Sequence, residues 1–514
     1  MSLTQALHRT LQQRPDAIAT IYRDRRQSYR IFGDRVARLA GALQGLGMSV
    51  GEPVALLSLN SDRYLEYFMA VPWGGGVINP VNTRWSANEV AFSLDDCSTA
   101  ILLVDDQFTG MVPELRQRAN SLKVVIYTGE HETPEGMLGY EDLIASTEPV
   151  ADTYRHGNDL AGIFYTGGTT GFPKGVMLSH INLSSVALAL AASGIAKPGC
   201  IGLHAAPMFH LADFALLNAM LTHGSTHVML PSFEPLAVLR TLQDESVTET
   251  ILVPTMIQML VDHPQAGDFD LSHLQILLYG ASPISESLLK RAMALLPNAG
   301  LLQAYGMTEL APLATLLLPQ DHLVESKMRS AGRAGLCADV RIVDENDQEL
   351  PRGQVGEVVV RGPHVMLGYW NRPEATAEAL KNGWMHTGDG AYMDDDGYVF
   401  VVDRIKDMIV TGGENVYSAE VENAIAQHAA VANCAVIGVP SETWGETVHA
   451  VVVLKAGAAL TTEALSAHCA ERIAKYKCPR SLSFIEALPL SGAGKVLKRD
   501  LRKPFWDNHQ RGVG

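Results

Sequence analysis

The sequence predicts an α/β protein, with a large N-terminal domain of layered α/β subdomains plus a β-rich element, followed by a small α+β C-terminal domain. Three observations lead there. Short apolar runs of strand length alternate with amphipathic helical stretches along most of the chain. A valine-rich, glycine-bounded run at 355–361 breaks that alternation late in the body. Past Asp403 the pattern restarts as a unit of its own.

The strand-length runs fall at 54–58, 100–104, 124–127, 251–253 and 276–278, each bounded by polar residues or by Gly and Pro. Between them, 34–46 and 286–296 carry apolar residues at helical spacing. Asp394, Asp395, Asp396 and Gly397 form a turn, and 398–402 reads as the strand leaving it. The chain is therefore divided into 1–403, a hinge at 404–406, and a C-terminal domain at 407–514. In the last unit a helix begins near Ser418 with Val421, Ala424 and Ile425 on one face. Strands follow at 432–439 and 448–454, then a helix with Leu465, Cys469 and Ile473 on one face, and a strand near 482–485.

Composition narrows the function. The 514 residues are 47% hydrophobic and 19% charged, as expected of a globular enzyme with more than one domain. Forty basic against 56 acidic residues give a net charge of -16, which disfavours a nucleic-acid partner. A small anion in a locally positive cleft remains compatible with that balance. The first sixteen residues, with Arg9 and Arg14, hold no signal-peptide core, and the apolar stretch 186–196 is too short to span a bilayer. The six cysteines (97, 200, 337, 434, 469 and 478) are scattered without a CxxC and read as reduced thiols, which places the protein in the cytoplasm with no integral membrane segment.

Chemistry concentrates in a few strings. An apolar strand runs into Tyr165-Thr166-Gly167-Gly168-Thr169-Thr170-Gly171-Phe172-Pro173-Lys174-Gly175. Its glycines let backbone N–H groups approach phosphate oxygens, the threonines add donors, and Lys174 adds charge. The order of a Walker A loop is absent. Gly280-Ala281-Ser282-Pro283 ends another strand, and Tyr305-Gly306-Met307-Thr308-Glu309 offers an aromatic ring, a close-approach glycine, a hydroxyl and a hard carboxylate ligand suited to magnesium. Trp384-Met385-His386-Thr387-Gly388-Asp389 supplies a carboxylate able to accept from a sugar diol, and Asp403-Arg404 follows. Thr411-Gly412-Gly413-Glu414-Asn415 and the basic string Ser491-Gly492-Ala493-Gly494-Lys495 complete the series.

In this order, from about Tyr29 to Arg502, the strings resemble the adenylate-forming superfamily: acyl- and aryl-CoA synthetases of the AMP-dependent synthetase/ligase type, peptide-synthetase adenylation domains and beetle luciferases. Two positions depart from the usual pattern: Gly168 stands where serine is common, and Ser491 where threonine is. The resemblance implies an ATP-dependent acid:CoA ligase that forms an acyl adenylate and then acyl-CoA, AMP and pyrophosphate. Its cofactors and co-substrates would be ATP, Mg²⁺ and coenzyme A. It implies a phosphate and nucleotide site from Thr166, Gly167, Gly168, Thr169, Thr170, Gly171, Lys174, Gly280, Ala281, Ser282, Tyr305, Gly306, Met307, Thr308, Asp389 and Arg404. Glu309 and Thr170 would hold the metal. Lys495, Thr308 and Glu309 are the catalytic candidates, joined by His210 of Pro207-Met208-Phe209-His210 at an aromatic gate beside the acyl site. The C-terminal domain would turn about Lys406, withdraw Lys495 and present Gly413 to the pantetheine tunnel.

Trp444 and Lys477 match positions near the CoA nucleotide in some aryl-CoA ligases, but Cys478 stands where those relatives carry arginine; Arg84 is the candidate to compensate. The acyl pocket candidates are Phe209, His210, Asp213, Phe214, Met256, Met259, Ala281, Leu310 and Pro312, none of them Lys or Arg. They favour a medium- or long-chain fatty acid over a dicarboxylate. An aryl or phenylpropenoid acid such as benzoate, coumarate or ferulate, and an adenylation enzyme loading a carrier protein, stay open, as does a homodimer.

Overall fold

The computed structural model describes residues 1–166, 173–282, 284–405, 407–411, 414–441, 443–491 and 495–506. Among these residues the body is built on two large sheets. The nine-stranded sheet runs Arg333–Ala334, Thr315–Leu317, Gly300–Tyr305, Ile276–Gly280, Glu249–Leu252, Ile201–His204, Thr226–Met229, Ile18–Tyr22 and Arg25–Ser28. The eight-stranded sheet runs Gly368–Tyr369, Lys174–Ser179, Leu160–Thr166, Val77–Pro80, Pro53–Leu57, Ile101–Val104, Val124–Tyr127 and Leu138–Gly139. The inner strands of both pair in parallel and the antiparallel pairs lie toward the edges. Helices cover the faces, as parallel sheets require.

The sequence places these elements with small offsets. The expected strand at 251–253 is Glu249–Leu252, and the helix expected at 34–46 starts earlier, at Tyr29, where Ser28 caps it by accepting from the Ile31 amide. The stretch at 186–196 lies largely in the helix His180–Ala192, whose residues are buried on nearly every side. That burial explains a uniform apolarity which periodicity alone cannot resolve. Among the described residues no helix is long and apolar enough to cross a membrane.

The two large sheets share one core. Helix Asp62–Trp73 meets helix Leu211–Leu221 where the rings of Phe68 and Phe214 lie 4.7 Å apart, and Phe164 from the strand Leu160–Thr166 packs on Phe214 at 5.9 Å. Three large aromatic side chains meeting at that point lock the helical layer between the sheets.

A third, antiparallel sheet holds Asp339–Val343, Gly356–Arg361, Trp384–Met393, Leu380–Lys381 and Val399–Arg404. This is the β-rich element. The chain then changes sheet: Ile409–Thr411 already belongs to the fourth, with Glu414–Val416, Gly445–Leu454, Val431–Ser441 and Ser481–Phe484. The hinge candidate Lys406 lies between, outside the described residues. Helix Ser418–Ile425 buries Val421, Ala424 and Ile425 as its pattern predicts. Helix Thr462–Ala470 ends before Ile473, which packs on the same core from the following turn.

Candidate active site

The candidate residues converge where strands of the first three sheets end. Gly280 and Tyr305 close neighbouring parallel strands, paired residue for residue up to Gly280 and Ala304. A side chain at Gly280 would meet the Ala304 carbonyl oxygen at 2.2 Å, so only glycine lets these strand ends come together. The next glycine is tighter still: a Cβ at Gly306 would stand 1.9 Å from the Pro312 carbonyl oxygen. Ala281 departs from the strand with a left-handed backbone, φ 66°, and Ser282 follows it half-buried.

Beyond Gly306 and Met307, Thr308–Leu310 makes one tight helical turn that buries Glu309, 6% exposed. Its carboxylate Oε1 accepts a 2.7 Å hydrogen bond from the Tyr369 hydroxyl, and its carbonyl accepts from the Met366 amide at 2.9 Å. Across the third sheet, Asp389 and Arg404 face each other in register on adjacent strands. The Asp389 carboxylate takes the Tyr305 hydroxyl at 2.7 Å on one oxygen and Arg404 Nε at 3.0 Å on the other. Burial, reinforced by the Asp389 charge, pushes the Tyr305 pKa far above its ordinary value, so the hydroxyl is a fixed donor.

Lys495 reaches the same place from the C-terminal part. Burial pushes its ammonium pKa below the usual lysine value and the Arg404 charge adds to that, while Asp389 and Glu309 pull the other way. Arg404, Asp389 and Glu309 are thus near enough to Lys495 to act on its charge. Its loop is pinned: the Lys495 amide donates to Ser491 Oγ at 3.1 Å, the Ser491 amide donates back to the Lys495 carbonyl at 2.7 Å, and Arg84 Nη1 donates to the Ser491 carbonyl at 3.1 Å. Arg84 is thus engaged with the lysine loop.

Thr166 ends the strand that leads into the glycine-rich loop, and Lys174 begins the strand that leaves it. Gly167, Gly168, Thr169, Thr170 and Gly171, and likewise Gly413, lie outside the described residues. The Lys174 ammonium sits 5.1 Å over the Tyr369 ring, which places one cation beside the tyrosine that holds Glu309. Asp96 braces this corner, with its carboxylate bound to the Tyr165 hydroxyl at 2.8 Å and Arg372 at 3.2 Å.

His210 caps the helix Leu211–Leu221, and its ring lies 4.2 Å from that of Phe209. Two pocket expectations are corrected. Asp213 is fully buried, and its carboxylate is bound to His204 Nδ1 at 2.9 Å, which in turn meets His227 at 3.0 Å. A carboxylate removed from water must be paired, and its partner here is internal. Met259 is 51% exposed on the outer face of its helix.

In the C-terminal part, Trp444 is 46% exposed with the Arg480 guanidinium 4.8 Å over its ring, and Lys477 pairs with Glu420 at 2.7 Å. Cys478 is buried, and Arg480, two residues on, is exposed. Tyr369 and Arg480 were not among the sequence candidates. The glycine-flanked aromatic pair in Gly368-Tyr369-Trp370 was the available signal for the first.

Comparison with known proteins decides what this constellation belongs to. Residues 7–370 match the model of the AMP-binding enzyme family, and residues 420–495 that of the AMP-binding enzyme C-terminal domain. The chain belongs to the AMP-binding enzyme family. A feruloyl-CoA synthase of Amycolatopsis sp is 39% identical over 494 residues, covering 96% of each chain. A medium/long-chain-fatty-acid–CoA ligase, FadD8 of Mycobacterium tuberculosis, is 34% identical over 94% of this chain and 86% of its own. The solved anthranilate CoA ligase AuaEII, in complex with anthranoyl-AMP, superimposes with a TM-score of 0.91 at 25% identity, covering 98% of this chain and 97% of that one. The AMP-binding enzyme described here is an AMP-forming acid–CoA ligase, with a carboxylic acid, ATP and CoA as its substrates.

Proposed function

We propose that the acid is a medium- or long-chain fatty acid. The observation that carries this reading is the apolar, buried character of the pocket candidates Phe209, Phe214 and Leu310. None of the pocket candidates is a lysine or arginine, so a second carboxylate entering there would be left without a countercharge. A second reading, an aryl or phenylpropenoid acid, is favoured by the 39% identity to a feruloyl-CoA synthase.

In the adenylation step a carboxylate oxygen of the acid attacks the α-phosphorus of ATP, and the bond to the bridging oxygen of the departing pyrophosphate breaks. Lys495 and the Thr308 hydroxyl stabilise the charge on the transferring phosphoryl group. Tyr305 sets its ring against adenine while its hydroxyl holds Asp389, which with Arg404 receives the ribose hydroxyls. Thr166, Lys174 and the loop 167–171 take the β- and γ-phosphates, and Gly280, Ala281, Ser282, Gly306 and Met307 line the nucleotide. Glu309, a buried hard-oxygen ligand fixed by Tyr369, fits magnesium, with Thr170 as the second candidate ligand. Magnesium bound there would neutralise charge on the phosphates.

For the second step the part of the chain after 404–406 turns as a domain, withdraws Lys495 and brings Gly413 to the tunnel. The thiol sulfur then attacks the acyl carbonyl, its proton is lost, and AMP departs. Trp444 and Lys477 receive the CoA nucleotide, and His210 closes the acid gate. The described cysteines are all free thiols, which supports a reducing cytoplasm.

Pyrophosphate release across a panel of aliphatic and aryl acids, each with and without CoA, tests the reading. Fast CoA-dependent turnover on medium- or long-chain acids is expected (on the order of eight carbons or more), since an apolar site gains with each methylene. Turnover confined to aryl acids would replace the aliphatic reading. One pyrophosphate per enzyme, indifferent to CoA, would point to a carrier-protein acceptor.

A further inference from the structure

We infer that Asn60 is a positioning residue for the acid gate, holding the gate segment from the opposite sheet. Asn60 follows the strand Pro53–Leu57 of the eight-stranded sheet and precedes Ser61, the cap of the helix Asp62–Trp73. The segment it grips, from His204 to His210, leaves the strand Ile201–His204 of the nine-stranded sheet and enters the helix Leu211–Leu221. It ends in Phe209 and His210.

One amide makes three bonds across this boundary. Asn60 Nδ2 donates to the His204 carbonyl at 3.2 Å and the Ala206 carbonyl at 2.8 Å, and its Oδ1 accepts from the Met208 amide at 2.8 Å. Its own main-chain amide donates to the Pro231 carbonyl at 3.2 Å. The site is dry: Asn60 is 3% exposed, and Ala205, Ala206 and Met208 are buried. The His204 carbonyl keeps a ladder partner, the Leu230 amide at 3.1 Å, but the Ala206 carbonyl and the Met208 N–H lie past the strand end and need others. Asn60 supplies them for both directions of the turn, since an amide carries donors and an acceptor on one plane. The neighbouring loop is itself braced, because Asp105 accepts from the Leu59 amide at 2.8 Å and the Ser58 hydroxyl at 3.2 Å. Asn60, leaving the eight-stranded sheet, is therefore tied by its side chain and its main chain to segments leaving the nine-stranded one, and the gate segment is seated at that join.

This inference rests on reading 207–210 as the acid gate, so three variants are compared. In Asn60→Ala the Ala206 carbonyl and the Met208 N–H lose their partners while the His204 carbonyl keeps the Leu230 amide, and the KM for the acid should rise about tenfold or more while the KM for ATP stays within about twofold. Asn60→Asp keeps the shape but turns two donors into acceptors facing carbonyls, and should be no better than Asn60→Ala. Phe209→Ala tests the gate itself. If Phe209→Ala shifts the acid KM and Asn60→Ala does not, the positioning role fails alone; if neither does, the gate reading fails with it. Parallel changes in both KM values, or a loss only of active enzyme in a pyrophosphate burst titration, would reduce Asn60 to a stability residue and overturn the proposal. Should the variants not fold, amide exchange in the wild type decides: the Met208 N–H should be strongly protected, and exchange at open-loop rates would sink the idea.

Discussion

A carboxylate that receives two sugar hydroxyls works best when its orientation is set before the sugar arrives. Asp389 is held on one oxygen by Tyr305 and on the other by Arg404. Tyr305→Phe keeps the ring for adenine and removes only a bond to a charged acceptor, worth about 1.5–3 kcal/mol. The KM for ATP should rise about tenfold by that arithmetic, with kcat little changed. An unchanged KM in steady-state assays would mean that Arg404 alone orients the carboxylate. Lys495 makes a second prediction at this scale. Its ammonium is the active form, and burial with Arg404 nearby lowers its pKa in the empty site. Bound phosphates must raise it again. The alkaline limb of kcat/KM for adenylation, which reports the free enzyme, should therefore lie at lower pH than that of kcat, which reports the loaded one. Coincident limbs in pyrophosphate-exchange profiles would show that the empty site does not perturb the lysine. Lys495→Ala should abolish adenylation and leave transfer from supplied acyl-AMP nearly intact. The motif residues were legible from local strings because each carries its own chemistry. Tyr369 was not, since its role is a bond to Glu309 sixty residues away, and no local spacing encodes that pairing.

Elements were legible wherever burial follows a simple period and less so where layers enclose a helix on all sides. The helix His180–Ala192 is such a case, and it begins on a histidine with no exposure. His180 Nδ1 accepts from the Leu3 amide at 3.3 Å, tying the N-terminal segment to the eight-stranded sheet's covering layer. Burial lowers the His180 pKa to about 4, and His364, also fully buried, is lowered to about 4. In the unfolded chain both titrate near their ordinary value of about 6.5. The unfolded state thus binds more protons between those values. Stability from these neutral rings is whole above pH 6.5 and is lost as pH falls toward 4. Thermal melts should show the midpoint dropping across that window. A His180→Gln variant, neutral throughout, should lose less than the wild type on the same acid shift. An equal acid dependence in both would assign the loss to other groups. The chain Asp213–His204–His227 escaped sequence reading for a related reason. Asp213 looks like a pocket residue because it sits one turn after the gate, yet its Oδ2 is bound to His204 inside the helix–strand contact.

At the scale of the molecule, the proposed cycle turns on which face the C-terminal part presents, and among the described residues polar contacts tie that part to the body. Asp403, at the end of the third sheet, accepts the Ser418 amide at 2.6 Å, and Ser418 opens the first helix of the C-terminal part. Behind it Lys498 pairs with Glu422 at 2.7 Å, and Arg502 pairs with Asp407, so the terminal helix is fastened to the segment that follows the hinge. Across the cleft, Arg84 on the body reaches the Ser491 carbonyl at 3.1 Å. A single exposed hydrogen bond of this kind contributes about 1 kcal/mol, enough to shift a two-state balance severalfold without locking it. That suits the proposed cycle, in which the contact is released between the two steps. Arg84→Ala should lower the rate of adenylation about threefold to tenfold by that measure, while single-turnover transfer from supplied acyl-AMP to CoA stays at the wild-type rate or rises slightly. Quench-flow measurement of the two half-reactions separates the outcomes. If adenylation is untouched and the KM for CoA rises instead, Arg84 serves the CoA phosphates and its bond to Ser491 is incidental. If both half-reactions slow together, the residue supports the body rather than the balance between its two faces.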